Sequence, residues 1–225
     1  MSSPSPPKDL VILVPDTQVA AAVEGICRRP EALGIRRIAI EVPIHWWRDS
    51  GCFRHAPEFL GRTQAHYSAA MVVFDHHGCG SETEAKELER DLEARLVASG
   101  WLRVAAVCID PELEAWVWGN SPHVTSALGW KGDLTSLRAW LRERGLWPDG
   151  MAKPPDPRTA FERALRQAGK PRSSAIFADL ASTVSLRRCS DRSFVKLRET
   201  LRAWFGDPET PAACHEATGD APDDG

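Results

Sequence analysis

The chain has 225 residues, 43% of them hydrophobic, with 28 Lys and Arg against 31 Asp and Glu for a formal net charge of −3. That balance is not the overall electrostatic footprint of a dedicated nucleic-acid binder, although local basic patches could still serve. No apolar segment approaches the ~20 residues that span a bilayer, and the opening residues lack a signal-peptide core, so a soluble, cytoplasmic protein with no membrane partner is expected. Six cysteines are scattered without a C-x-x-C pair, which argues against a zinc ribbon or thioredoxin-like motif and reads as reduced thiols.

In chain order, residues 1–8 form a Ser/Pro-rich leader expected to be disordered. Residues 10–14 are a short continuous apolar run, the mark of a strand buried on both faces. A helix over 19–27 follows, with Asp16 or Thr17 available as its cap. Residues 36–42 read as a second strand. The stretch 43–65, which holds His45, Trp46, Trp47, Arg48 and Asp49, reads as a long functional loop. Residues 69–74 form a third strand that stops at Asp75-His76-His77-Gly78-Cys79-Gly80. An amphipathic helix is expected over 81–99, since Leu88, Leu92 and Leu96 share one face. Residues 104–109 give a fourth strand.

Strands alternating with helices predict an α/β fold with a central, mainly parallel four-stranded sheet flanked by helices. The core then spans 9–130. A helical C-terminal region over 131–206 packs on it, with helices at 134–144, 157–167, 174–184 and 191–205. The segment 207–225 reads as a disordered acidic tail.

Three strands end in an acid: Asp16, Asp75 and Asp110. Neighbouring parallel strands would bring these carboxylates to one edge, where they suit Mg²⁺ or Mn²⁺, cations that prefer oxygen ligands. Such a metal neutralises phosphate charge and lowers the pKa of a bound water, which points to phosphoryl transfer or phosphodiester cleavage. Asp16, Asp75 and Glu112 are the candidate catalytic residues; Asp16, Asp75, His77 and Asp110 are the candidate metal ligands. His77 joins the set because it lies two residues beyond Asp75 and so shares its face. The competing reading of Asp110-Pro111-Glu112 is a helix start, with an acid cap and Pro at the first position. In a helix, Glu112 and Glu114 would lie roughly 200° apart and could not both face one site.

This arrangement resembles the Toprim fold of primases, topoisomerases and overcoming-lysogenisation-defect nucleases, in which an acid after the first strand and an Asp-x-Asp pair after the third bind divalent metal. Asp16 stands where a glutamate is usual, and His77 where the second aspartate of the pair belongs. A narrower resemblance rests on Asp110-Pro-Glu-Leu-Glu-Ala-Trp-Val-Trp118, Ser121-Pro-His-Val124, Arg172-Ser-Ser-Ala175 and Cys189-Ser-Asp-Arg-Ser-Phe-Val-Lys-Leu197. These blocks resemble a small bacterial family of methylation-associated antiviral defence systems. The resemblance implies a defence component whose partners are other proteins of the same system, with DNA or RNA as a further partner. Its Toprim-like acidic site is then either degenerate and used for binding, or the centre of a metal-dependent nuclease or phosphotransferase.

Trp116, Trp118, Trp130, Trp140 and Trp147 crowd one stretch and read as core rather than as a stacking platform. Trp46 and Trp47, flanked by Arg48, are the better candidates for an exposed binding surface. Lys153, Lys170, Arg172, Arg187, Arg188 and Arg192 make the C-terminal helices locally basic, either as a phosphate-contacting face or as an ordinary solvated one.

Overall fold

Residue parity in the strands decides the layers. Leu10 and Ile12, Met71 and Val73, and Ala105 and Val107 point to one side of a sheet; Val11 and Leu13, Ala70 and Val72, and Ala106 and Cys108 point to the other. Both sets are buried, so the strands need helices on both faces. A computed structural model describes residues 7–119 and 121–206 and has that architecture. The acidic tail, Cys214 and most of the predicted leader lie outside the described residues.

The sheet has four strands, all parallel, in the order β2-β1-β3-β4. They are β1 (Lys8–Leu13), β2 (Ile40–Glu41), β3 (Tyr67–Asp75) and β4 (Val104–Ile109). Lys8 belongs to the sheet rather than to a leader, ion-paired with Glu41 at 2.6 Å. The second strand is far shorter than the 36–42 reading. Only Ile40 and Glu41 pair regularly with β1, and the Val14–Ile44 bridge stands apart.

One face is covered by α3 (Arg48–Gly61) and α4 (Ala85–Ala98), the other by α1 (Thr17–Cys27) and the C-terminal helices. The expected loop over 43–65 is therefore mostly helix. Cys52, Ala56 and Leu60 recur every fourth residue and bury against β3 and β1, and that periodicity outweighs the breakers Gly51 and Pro57. Two short helices, α2 (Pro30–Leu33) and α5 (His123–Leu128), have no counterpart in the sequence reading. The remaining helices, α6 (Leu134–Glu143), α7 (Pro157–Ala168), α8 (Ser174–Thr183) and α9 (Arg192–Phe205), follow it closely. Helix α8 lies tightly on α1, so close that a Cβ at Gly25 would collide with Ala181. Among the described residues, no helix is long and apolar enough to cross a membrane.

β4 is an edge strand, and its outward amides are occupied. Ala106 N–H donates to Glu93 and Cys108 N–H to Glu89, each at 2.9 Å. Arg192 of α9 donates to Glu89 and to the Cys108 carbonyl, both at 2.8 Å. Side chains thus close an edge that would otherwise template another strand. Glu89→Ala strands a buried amide and unpairs Arg192; a loss of about 2 kcal/mol in urea unfolding is expected. A change below ~0.5 kcal/mol would show that this edge needs no closure.

Candidate functional site at the carboxyl edge of the sheet

Because the strands are parallel, β1, β3 and β4 deliver Asp16, Asp75 and Asp110 to the same edge. Asp75 is the last residue of β3 and is 7% exposed. Its backbone N–H donates to Asp49 Oδ1 at 2.7 Å. Its Oδ2 lies 3.5 Å from Arg158 Nη2, while its buried Oδ1 accepts no hydrogen bond. Asp49, in the first turn of α3, reaches this point because Gly78 leaves room: a Cβ there would collide with the Asp49 carboxyl.

Glu112 and Glu114 enter from the segment after β4. The helix start expected at Asp110 does not form. Glu112 is in extended backbone, and a single 3-10 turn begins only at Leu113. Freed from helical spacing, both glutamates face the same guanidinium. Glu112 Oε2 lies 2.8 Å from Arg158 Nη2, and Glu114 Oε2 lies 3.7 Å from Arg158 Nε. Glu112 also accepts the Arg158 backbone N–H at 3.0 Å, so it caps α7 instead of a helix of its own. Arg172 Nη2 approaches Glu114 at 2.5 Å, but its N–H groups are aimed at Gln18 and Glu162, and neither Glu114 oxygen accepts an aligned hydrogen bond.

Asp16 caps α1, accepting from Gln18 N–H at 2.8 Å and Val19 N–H at 3.0 Å. It also bears electrostatically on Asp49. His77 is exposed, on the side of Glu112, whose acidity it supports. Asp110 faces the other way: it is exposed and paired with His76 Nδ1 at 3.2 Å, while His76 Nε2 meets the Thr83 carbonyl at 2.8 Å. Asp75 and Glu112 thus share Arg158, Asp16 joins them through Asp49, and Asp110 and His77 are not drawn in.

The site holds more negative charge than its two arginines offset. Burial, with Asp49, Glu114 and Glu112 nearby, pushes the Asp75 carboxyl well above the usual carboxylate range. Burial also raises Asp49, aided by Asp16, and raises Glu112 against the opposing pull of Arg158. Unpartnered buried oxygens on Asp75 and Glu114 mark a site that does not satisfy itself. Among the described residues, however, no three His, Cys, Asp or Glu side chains stand where one metal ion could be held. Asp16 is turned to the amides of α1, Asp110 to His76, and Arg158 stands among the rest. In this arrangement the residues do not fit Mg²⁺ or Mn²⁺.

Sequence reasoning missed Asp49, Arg158 and the joint role of Glu112 and Glu114. Asp49 was legible only as an acid beside two tryptophans, and Arg158 only as a basic residue after a proline. The basic C-terminal set is largely spent internally: Lys153 on Asp191 and the Ala115 carbonyl, Lys170 on the Ala127 carbonyl, Arg172 on Glu114, Arg192 on Glu89. Trp118 and Trp147 are buried and Trp116, Trp130 and Trp140 half-buried, as a core role requires. Trp46 and Trp47, by contrast, are 67% and 58% exposed beside Asp49.

The fold and site define an all-parallel α/β protein with an acid cluster at its strand ends that two guanidinium groups neutralise in part. The chain matches no family model, no curated protein and no solved structure.

The raised acids set the sign of a pH effect. A carboxyl whose pKa is higher folded than unfolded favours folding at acidic pH and becomes a cost as pH rises through the folded value. Asp75→Asn removes that cost. Its melting temperature should exceed that of the wild type at about pH 8, with the gap narrowing as pH falls towards the unfolded carboxylate value of about 4. Scanning calorimetry across that window checks this; a constant or inverted gap would mean that Arg158 keeps Asp75 ionised at no cost.

Proposed function

We propose that this protein is a component of a bacterial methylation-associated antiviral defence system and acts through binding rather than catalysis. The observation that carries the non-catalytic part is the occupation of the strand-end acids by Arg158 and Arg172 of the same chain. A guanidinium cannot lower the pKa of a water as a metal does, so the acid cluster serves as an internal lock between the sheet edge and α7. The defence assignment is supported by the sequence blocks from Asp110 to Trp118 and from Cys189 to Leu197. The departures at Asp16 and His77 from the Toprim pattern agree with a site that has lost its metal chemistry.

Binding has an exposed apolar rim. Trp46, Trp47 and Ile44 are exposed together next to the lock, and exposed aromatics of this kind mark protein or nucleic-acid contacts. They stand on a shaped base: buried His45 accepts the Trp47 N–H at 3.1 Å through Nδ1, and Arg48 adopts φ 50°. A non-glycine residue in that region signals a locally imposed backbone.

A second reading, a divalent-metal-dependent nuclease or phosphotransferase acting on nucleic acid, is favoured by one observation, the unpartnered Oδ1 of buried Asp75. Calorimetric titration with Mn²⁺ separates the two. The lock reading expects no binding by the wild type, acquisition of Mn²⁺ binding by Arg158→Ala as the acids lose their cation, and no cleavage of DNA or RNA with Mn²⁺ present. It further expects Trp46→Ala/Trp47→Ala to abolish phage protection while the fold persists. Mn²⁺ binding by the wild type that is lost in Asp75→Ala, together with metal-dependent cleavage, would replace it with the enzyme reading.

A further inference from the structure

Outside the acid site, a groove of about 450 Å³ opens between α6 and α7, lined by Trp140, Arg144, Leu146, Arg163, Arg166 and Gln167. Three of its lining residues are arginines and none is acidic. Arg163 and Arg166 lie three apart on α7, hence on neighbouring positions of one face. Both are exposed, and no described residue pairs with either side chain. That contrasts with Lys153, Arg172, Arg192 and Lys196, each committed to a carboxylate.

Arg144 is already shaped for an anion. Its guanidinium stacks over Trp140 at 4.1 Å from the ring centroid, and Nη1 donates to the Trp140 carbonyl at 3.1 Å. Trp140 is in turn held edge-on by Trp130 at 5.2 Å. A guanidinium fixed on an aromatic face loses little freedom when it meets a phosphate. Two arginines near the end of α7 also suit its dipole. Arg144, the C-cap of α6, lies 3.5 Å from Glu143 in an exposed pair, whereas no acid of the described residues stands against Arg163 or Arg166. Residues 131–169 carry eight Lys and Arg against five Asp and Glu, in a chain whose overall balance is acidic.

We propose that the α6–α7 groove binds the phosphate backbone of single-stranded nucleic acid, through Arg144, Arg163 and Arg166. The inference deepens the binding reading above by naming the ligand class, and it needs neither the acid cluster nor a metal. Backbone contacts of this kind are sequence-independent and salt-dependent. Three phosphate contacts at about −0.7 each predict a slope near −2 for log K against log salt on a single strand.

The test is fluorescence anisotropy of the full chain with a fluorescein-labelled oligo(dT) of about 20 nucleotides, in EDTA, from about 50 to 200 mM salt. Arg163→Glu/Arg166→Glu should lose at least tenfold in affinity and flatten the slope, while the exposed positions limit the fall in melting temperature to the few degrees that an acid near the helix carboxyl end costs. Arg163→Lys/Arg166→Lys should keep most of the binding. A labelled duplex and free dTMP as competitor, each binding markedly more weakly, would support a strand as the ligand. Undiminished binding by the charge-reversed variant overturns the groove assignment while leaving nucleic-acid binding to another surface such as Trp46 and Trp47. No binding by the wild type at the lowest salt overturns the inference, and leaves the partner-protein part of the proposed function standing.

Discussion

The Arg158 guanidinium, set among Asp75, Glu112 and Glu114, is what allows this sheet to end as it does. Each carboxylate taken out of water costs several kcal/mol unless it is paired, and five acids gather around this edge. At an effective dielectric of about 20, a pair 4 Å apart recovers about 4 kcal/mol, and Arg158 keeps 43% of its side chain in solvent, which screens it further. Two arginines therefore cannot hold every acid ionised. The raised pKa values of Asp75, Asp49 and Glu112 are the visible remainder.

The acids and their cations come from different parts of the chain. Asp16, Asp49, Asp75, Glu112 and Glu114 all belong to the α/β core, whereas Arg158 and Arg172 come from α7 and the turn before α8. The helical region is thus bound to the core by apolar packing of α8 on α1, by charge at the strand ends and by Arg192 of α9 along β4. Lys153 adds a further tie, reaching both the Ala115 carbonyl and Asp191, the cap of α9. Segment 45–49 serves the same edge from the other side: it sends the Asp49 carboxyl inwards and leaves Trp46 and Trp47 outside.

How much of this could be read from residues alone follows from the range of the forces involved. Strands β1, β3 and β4 were legible because continuous apolar runs have one use in a parallel sheet. The helices α4, α6, α7, α8 and α9 were legible from their helical patterns, and the structure adds the caps Asp133 and Asp156, which accept from Ser136 and Thr159. Helix α3 was hidden by Gly51 and Pro57, whose local cost is outweighed by burial of Cys52, Ala56 and Leu60. Asp75 was legible as a strand-end acid, and Glu112 as a candidate two residues beyond the strand-end Asp110. The pairing of Glu112 with Glu114 was not, because it depends on a segment that leaves helical geometry to meet Arg158, far along the chain. Nothing local to Arg158 announces that partner.

Helix α7 gathers these constraints into one element. Its amino end is pinned by two carboxylates, Asp156 on the Thr159 amide and Glu112 on the Arg158 amide, where negative charge suits the helix dipole. Arg158 projects from that same turn into the acids. Eight residues on, about 12 Å along the axis, Arg166 faces the α6–α7 groove with Arg163 beside it. The inner face between them, Ala160, Phe161, Ala164 and Leu165, is buried in the core. The helix therefore cannot shift to relieve one end without moving the other. Its arginines divide accordingly: the one at the amino end is consumed by the protein's own acids, and the two near the carboxyl end are left facing solvent with nothing of the described chain to neutralise them.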